Sequence, residues 1–415
     1  MHSHQANSPD KDNNTPDNSD LRQLSRNQLA VLIGALMSTA IGQSLVFAIL
    51  APLGREVALS EIQITSIIAI SALVFSLASP FWGRLSDRAG RKTIMMTGLI
   101  GYTLGTLLFT SVFQAALAGY ISGTLLYPIL LLTRCLQGCI MSATGPAATA
   151  YAADNSTPGY RTRTLARLGT ANSLGTILGP AVSGALAIFG LLAPLYFAAA
   201  LTVIAAWVIW RLLPLTPKHY LTPRNTTSRL RVNDVRIRGY LFVATGLFIG
   251  FSAIQQTLGF HIQDKLGLNG IQTAQTTGAA LMVSALFTFT MQMTAMQRLK
   301  LTPRQFLQLA LASLAVGAYI IAIFEHFGLL AVGMAFIGTG LGLGAPAAAA
   351  GASLAVNAEE QGSIAGLISA CPAFGFVIGP VCAGLLYRVD PLFASLFSVG
   401  VFVLVLMVLI AYRRQ

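Results

Sequence analysis

The chain has 415 residues, of which 54% are hydrophobic and only 10% charged; its mean hydropathy is +0.69 and its formal net charge is +12. Too little polar side chain remains to cover a water-soluble globule, so the composition points to a polytopic helical membrane protein. The basic excess needs no nucleic-acid partner, because the Lys and Arg residues border apolar segments and do not form one stripe.

Residues 1–27 are polar and rich in Asn and Asp, and read as a disordered cytoplasmic tail without a cleavable signal. His2 and His4 lie in it and make a poor metal site. Twelve apolar segments follow, starting near Leu29, Ile62, Thr93, Gly123, Leu165, Pro194, Tyr240, Thr273, Phe306, Gly328, Ile364 and Pro391. Each suffices for a helix to cross a hydrocarbon core of about 30 Å. A helix satisfies its own backbone in lipid, and the short alternating strands of a barrel are not seen. The predicted fold class is an all-α integral membrane protein, with twelve transmembrane helices in two pseudo-symmetric six-helix bundles. Residues 28–213 form the first bundle, 214–238 a basic cytoplasmic linker and 239–412 the second bundle.

Orientation follows from the cations. With segment one entering from the cytoplasm, 22 Lys and Arg residues fall inside, only Arg55, Lys265 and Arg388 fall outside, and Arg134 lies within a segment. Both termini are therefore expected in the cytoplasm. Between segments two and three the chain reads Gly83-Arg-Leu-Ser-Asp87-Arg88-Ala-Gly90-Arg91-Lys92, a short basic turn that makes an antiparallel hairpin. Segment four carries Arg134, whose burial in a membrane costs at least about 2.5 kcal/mol and demands a polar cavity or a partner. Cys135, Cys139, Cys371 and Cys382 all lie within segments, which excludes a secreted disulfide framework. The sequons at Asn155 and Asn225 fall in cytoplasmic loops and are expected to stay unmodified.

The chain also repeats itself. Shifted by 200 positions, Gly138, Pro146, Ala147, Ala148, Ala150 and Ala152 land on identical residues, as do Gly175, Gly179, Pro180, Gly184 and Leu186. Segments four and five thus reappear as ten and eleven, a parallel repeat of two six-helix halves. Such duplications place a binding site at the interface near the bilayer midplane, exposed to each side in turn as the halves rock. In each copy of Gly-x-x-x-Gly-Pro-x-x-x-Gly, at Gly175, Gly179, Pro180 and Gly184 and at Gly375, Gly379, Pro380 and Gly384, the glycines admit a neighbouring helix closely and the proline weakens the helix. A close-packed, bendable helix beside the interface suits a gate.

These motifs resemble those of the major facilitator superfamily. The turn with Gly83, Asp87, Arg88, Gly90 and Arg91 resembles its loop 2/3 signature; Arg134, Gln137 and Gly138 are similar to its fourth-helix motif. The Gly175 to Gly184 string resembles the fifth-helix motif of exporters in the twelve-helix drug:proton antiporter branch. The resemblance, which covers about residues 28–412, implies that Asp87 docks on the N-terminal end of segment eleven, near Gly362 and Ser363, when the cytoplasmic side is closed. It further implies that Arg91 pairs with Asp154, and that Arg134 serves proton coupling. Unpaired backbone donors and the helix dipole give the first contact a physical basis.

No Asp or Glu lies within the core of any predicted segment, and segment one offers Gln43 and Ser44 where an acid is sought. A cavity holding Arg134 and no opposing carboxylate carries positive potential, which favours an anionic or zwitterionic substrate such as a carboxylate siderophore or an organic acid. Gln137, Gln255, Gln256, His261 and Gln292 are further candidate lining groups, with Phe260 and Phe374. His261 is also a candidate proton relay. Clusters suited to catalysis or metal binding are not evident, and no phosphate-binding Gly-rich loop is present, so neither an enzyme nor ATP-driven transport is expected. The expectation is a cofactor-free, monomeric, proton-coupled exporter of small organic molecules in the inner membrane of a bacterium; a dedicated exporter of an anionic metabolite is the alternative, and an importer of a small organic anion a third reading.

Overall fold

The computed structural model describes residues 25–156, 158–214, 230–357 and 360–411. Most of the polar tail, with His2 and His4, and most of the basic linker, with Asn225, lie outside the described residues. Among those residues the chain is helical, without strands. The first half comprises α1 (Arg26–Glu56), α2 (Glu61–Ala89), α3 (Arg91–Leu117), α4 (Leu126–Met141), α5 (Thr144–Asp154), α6 (Pro158–Leu186) and α7 (Ala193–Leu212). The second comprises α8 (Arg238–Leu266), α9 (Gly270–Met293), α10 (Ala295–Arg298), α11 (Pro303–Ile323), α12 (Phe327–Leu354), α13 (Gln361–Val389) and α14 (Pro391–Ala411).

Predicted segment four is α4 followed by α5, which together form one span, Gly123–Asp154. Among the described residues, eleven helices are long and apolar enough to cross a membrane. With 24 residues, α9 makes a twelfth long helix, diluted by its Gln and Thr residues. Local chemistry starts several of them. Ser25 with Gln28, Ser60 with Gln63, Asn269 with Gln272 and Thr302 with Gln305 form reciprocal capping boxes at α1, α2, α9 and α11, each worth about 1 kcal/mol. At two C-terminal ends a cation from another helix takes the orphan carbonyls: Lys92 donates to the Trp210 carbonyl at 2.8 Å and to that of Leu213, and Arg304 to the Leu409 carbonyl at 2.6 Å.

The basic stretch at Gly83 is less of a turn than its composition predicts. Helix α2 continues to Ala89, and Gly90 alone, at φ +97°, separates it from α3. A side chain there would be strained, which explains the glycine.

The sequence repeat is a packing repeat. The Ser44 hydroxyl of α1 lies 3.4 Å from the Gly175 carbonyl of α6, and the Ser252 hydroxyl of α8 lies 2.7 Å from the Gly375 carbonyl of α13. A Cβ added to Gly179 would fall 2.7 Å from the Ile41 carbonyl oxygen; one added to Gly379 would fall 2.5 Å from that of Ile249. Lipid tails give no hydrophobic drive for helix association, so close backbone approach through glycine supplies the contact. The last glycine of each string faces the other half: Gly184 meets Ala274 and Gly278 of α9, and Gly384 meets Thr65 of α2.

One end of the bundle carries Arg84, Arg88, Arg91, Arg238, Arg298 and Arg304, and is the basic end; the far end carries Arg55, Glu61 and Asp264. The apolar core differs between them. At the far end Ile49, Leu53 and Ile64 of the first half share one cluster with Phe260, Ala274, Ala383 and Tyr387 of the second. Toward the basic end the first half has its own cluster around Leu32, Met95, Tyr151 and Ile209, while the second half has a separate one that runs its whole length, from Ile237 and Leu307 to Ile321 and Phe324. The halves are thus joined at the far end and parted at the basic end.

Candidate functional site

Between the halves lies a cavity of about 690 Å³, lined by α1, α2, α4 and α6 of the first half and by α8, α9, α12 and α13 of the second. Among its lining residues Arg134 is the only one that carries a charge. Of the predicted lining groups, Gln43, Arg134, Gln137, Gln255 and Gln292 line it. The wall is otherwise made of Phe47, Phe75, Phe248, Phe251 and Phe376, small residues, and hydroxyls such as Ser71, Ser284 and Thr288. Toward the basic end its lining includes the exposed residues Asn172, Ser173 and Ser369. Toward the far end the Phe47 and Phe376 rings, one from each half, stack with centroids 5.9 Å apart.

Arg134 is 7% exposed. Its guanidinium donates to Gln137 Oε1 at 2.5 Å, and Gln137 Nε2 donates in turn to Thr106 Oγ1 at 2.5 Å. The Phe109 ring lies 5.6 Å from its Cζ. This chain holds the guanidinium in place without neutralising it. Gln137 keeps its position because Gly105 of α3 leaves room for its Cβ and Cγ. Opposite, Gln255 lines the cavity and is 6% exposed, with its Oε1 buried and without a hydrogen-bond partner among the described residues. The chemistry on offer is one fixed cation, amides and hydroxyls of both polarities, and aromatic faces.

Gln256 and His261 do not line the cavity. Successive residues on a helix point about 100° apart, so Gln255 and Gln256 face different neighbours. His261 is turned toward α14, where its Nδ1 donates to the Thr257 carbonyl at 3.4 Å and its Nε2 accepts from the Ser395 hydroxyl at 3.1 Å. Its ring stands edge-on to Tyr387 with centroids 4.9 Å apart. Phe260 is buried against Arg55 near the far end, while Phe374 is exposed; the cavity takes Phe376 instead.

At the basic end, Arg91 forms ion pairs with Asp87 and, at 3.0 Å, with Asp154, and donates to Ser86 Oγ at 2.7 Å. Arg88 is exposed in the last turn of α2, and Gly83 sits in ordinary contact distance of Pro146. Asp87 is not at α13: Gly362 is exposed and a Cβ there would meet nothing within 4 Å. Instead, the segment before α8 holds that end, with Leu230 N–H donating to Ser363 Oγ at 3.1 Å and Arg236 pairing with Glu360 at 3.0 Å and Asp234 at 2.8 Å. Asp234 and Glu360 are both held below the usual carboxylate range, chiefly by hydrogen bonds from the Arg236 guanidinium. Among the described residues no group of three or more His, Cys, Asp or Glu is placed to hold a metal ion.

One arrangement was not foreseen from the sequence. Arg55, at the end of α1, pairs with Asp264, at the end of α8, and with Glu61 of α2 at 2.9 Å. The available signal was that both ion-pair partners across the halves stand in the last turn of helices that the repeat makes equivalent.

Comparison with known proteins fits this architecture. The family profile described as Major Facilitator Superfamily matches residues 32–299. Multidrug resistance protein 2 of Bacillus subtilis (strain 168) is 25% identical over 380 residues, covering 89% of this chain and 90% of that protein. Tetracycline resistance protein, class C, of Escherichia coli is 32% identical over 181 residues, covering 43% and 42%. In fold, the nucleoside transporter NupG superposes with a TM-score of 0.74 at 13% identity, covering 94% of this chain and all of that one.

Proposed function

The chain belongs to the Major Facilitator Superfamily and is a multi-pass membrane transporter; from that premise we propose that it exports small organic molecules from a bacterial cell in exchange for protons, by alternating access across the inner membrane. The observation that carries this reading is the central cavity, sealed toward the far end and open toward the basic end, with one buried arginine in its wall. The positive-inside rule makes the basic end cytoplasmic, so the structure is read as facing inward, ready to load cargo from the cell. Relatives named for multidrug and tetracycline resistance support efflux as the direction.

In this reading the cargo binds between the aromatic residues of both halves, the halves close at the basic end, and Asp87 leaves Arg91 to dock on the start of α13. Arg134 senses the exchange of proton for cargo, since its charge is buried and unmatched by any lining carboxylate. That same feature favours a second reading, in which the cargo is itself an anion, such as a carboxylate siderophore or another organic acid: a bound carboxylate would complete the ion pair that the wall leaves open.

Inside-out vesicles energised by an inward-acid pH gradient test the direction and the coupling. Cargo accumulation that collapses on adding an uncoupler is expected; accumulation that needs no gradient, or that runs the other way, overturns the exporter. A thermal-shift comparison of anionic, zwitterionic and cationic compounds tests the sign of the cavity, with anions expected to stabilise most.

A further inference from the structure

We propose that Arg55, Asp264 and Tyr387 form a clasp that holds the two halves together at the far end, and that its release sets how often the cavity opens on that side. The proposal rests on the reading that the halves rock, and it goes beyond the cavity and the basic-end contacts.

Three independent contacts converge on this point. The Arg55 guanidinium spans the seam, with Nη2 donating to Asp264 Oδ2 at 2.9 Å and Nη1 donating to Gln263 Oε1 at 3.2 Å. On the other side of the same carboxylate, the Tyr387 hydroxyl of α13 donates to Asp264 Oδ2 at 2.5 Å. Finally, Arg55 stands over the Phe260 ring with its Cζ 5.0 Å from the centroid, an arrangement that adds cation–π attraction where water is partly excluded. Next along the chain, Glu56 points at the first turn of α9, where a Cβ on Gly270 would fall 2.7 Å from its Oε1. A carboxylate beside a helix start is favoured by the helix dipole. The last turn of α1 thus holds the last turn of α8 through the Arg55 cation and sets the Glu56 carboxylate beside the start of α9.

These residues sit above the shared apolar cluster, beside the glycine contacts at Gly184 and Gly384, so parting the far end must break the clasp. A bidentate arginine–carboxylate pair has tight geometry and is made or lost as a unit. Half-exposed, it contributes enough to bias an opening equilibrium and not so much as to lock it.

The test is a labelling rate that requires no cargo and no proton gradient, so its outcome is separate from that of the transport experiments. Thr65 of α2 is 1% exposed and faces Gly384 across the seam. In a background with the four native cysteines replaced by serine, Thr65→Cys in the purified full chain reports far-end opening by its rate of reaction with a bulky maleimide. Arg55→Gln and Asp264→Asn are each expected to raise that rate about tenfold, a shift of about 1.4 kcal/mol. Asp264→Glu should restore it toward the parent rate, and Tyr387→Phe should raise it less. Glu61→Gln removes only a contact within the first half and should leave it unchanged. Thermal unfolding of each variant separates opening from loss of fold, and Asp264→Asn carries the test if Arg55→Gln does not fold. Parent-like labelling in both neutralised variants would overturn the clasp. So would a rise in Glu61→Gln equal to that in Asp264→Asn, since Arg55 would then merely brace the α1–α2 turn.

Discussion

The two halves share a scaffold and differ in chemistry. Gly138, Gly179 and Pro180 have structural twins in Gly338, Gly379 and Pro380, and the Ser44–Gly175 contact has one in Ser252–Gly375. Yet the positions equivalent to Arg134 and Gln137 are Met334 and Ile337, both buried in the apolar cluster of the second half. The ion pairs joining Asp87, Arg91 and Asp154 are not copied either, since the matching position to Asp87, counted from the paired caps Ser60 and Asn269, is Met296. What is duplicated is the close approach of backbones, which lipid makes necessary. What is single is charge, which lipid makes costly.

The sharpest way to break this comparison is to make the halves alike. Arg134→Met, which writes the second half's residue into the first, is expected to lower efflux about a hundredfold or more, worth about 2.7 kcal/mol. The same change should leave thermal stability equal or higher, because a buried, unpaired charge is replaced by a hydrophobe. A stable variant that still transports would refute the role given to Arg134. Next in size are the shared glycines. Gly179→Ala and Gly379→Ala push a methyl against backbone that cannot yield, and each should cost about 1–3 kcal/mol of stability by equal amounts in detergent unfolding. Gly184→Ala should cost less, since its nearest neighbours lie at 3.3 Å. Asp87→Asn, with no partner position in the second half, is expected to slow transport about tenfold, about 1.4 kcal/mol, while the melting temperature holds.

The smallest effect concerns the second half's own ion pairs. Asp234 and Glu360 have folded-state values below the ordinary carboxylate range. Their contribution is therefore complete above that range and is lost as the pH falls through the lowered values. A fluorophore on Val235→Cys should report release of the segment before α8 only in acid, below the pH at which free carboxylates titrate. Release at neutral pH on adding salt alone would show that the contact is mere surface screening.

The fold was legible because spanning helices announce themselves by length and apolarity, and because the 200-residue offset carried the pairing of α6 with α13 and of α4 and α5 with α12. The cavity was legible in part. Arg134 and Gln137 stand one helical turn apart, which puts both on one face, but Gln255 and Gln256 are neighbours and a periodic reading cannot say which of them looks inward until α8 is packed. His261 was grouped with the cavity-lining residues, which it does not join, because sequence gives depth along a helix and not rotation about it. The far-end clasp stayed hidden for another reason: Arg55 and Asp264 are 209 residues apart, and a count of loop charges treats each as an isolated ion.

Lys92 shows how one cation can act twice during the making of the protein. Its ammonium ends up on the carbonyl of Leu213, a residue that emerges from the ribosome 121 positions later. Without α7 the carbonyls of Trp210 and Leu213 are absent and the ammonium keeps its water, a cation beside the first turn of α3 of the kind that the positive-inside rule counts. With α7 packed, the ammonium is buried and closes that helix's end, so one charge that the rule counts is also a charge that seals the bundle.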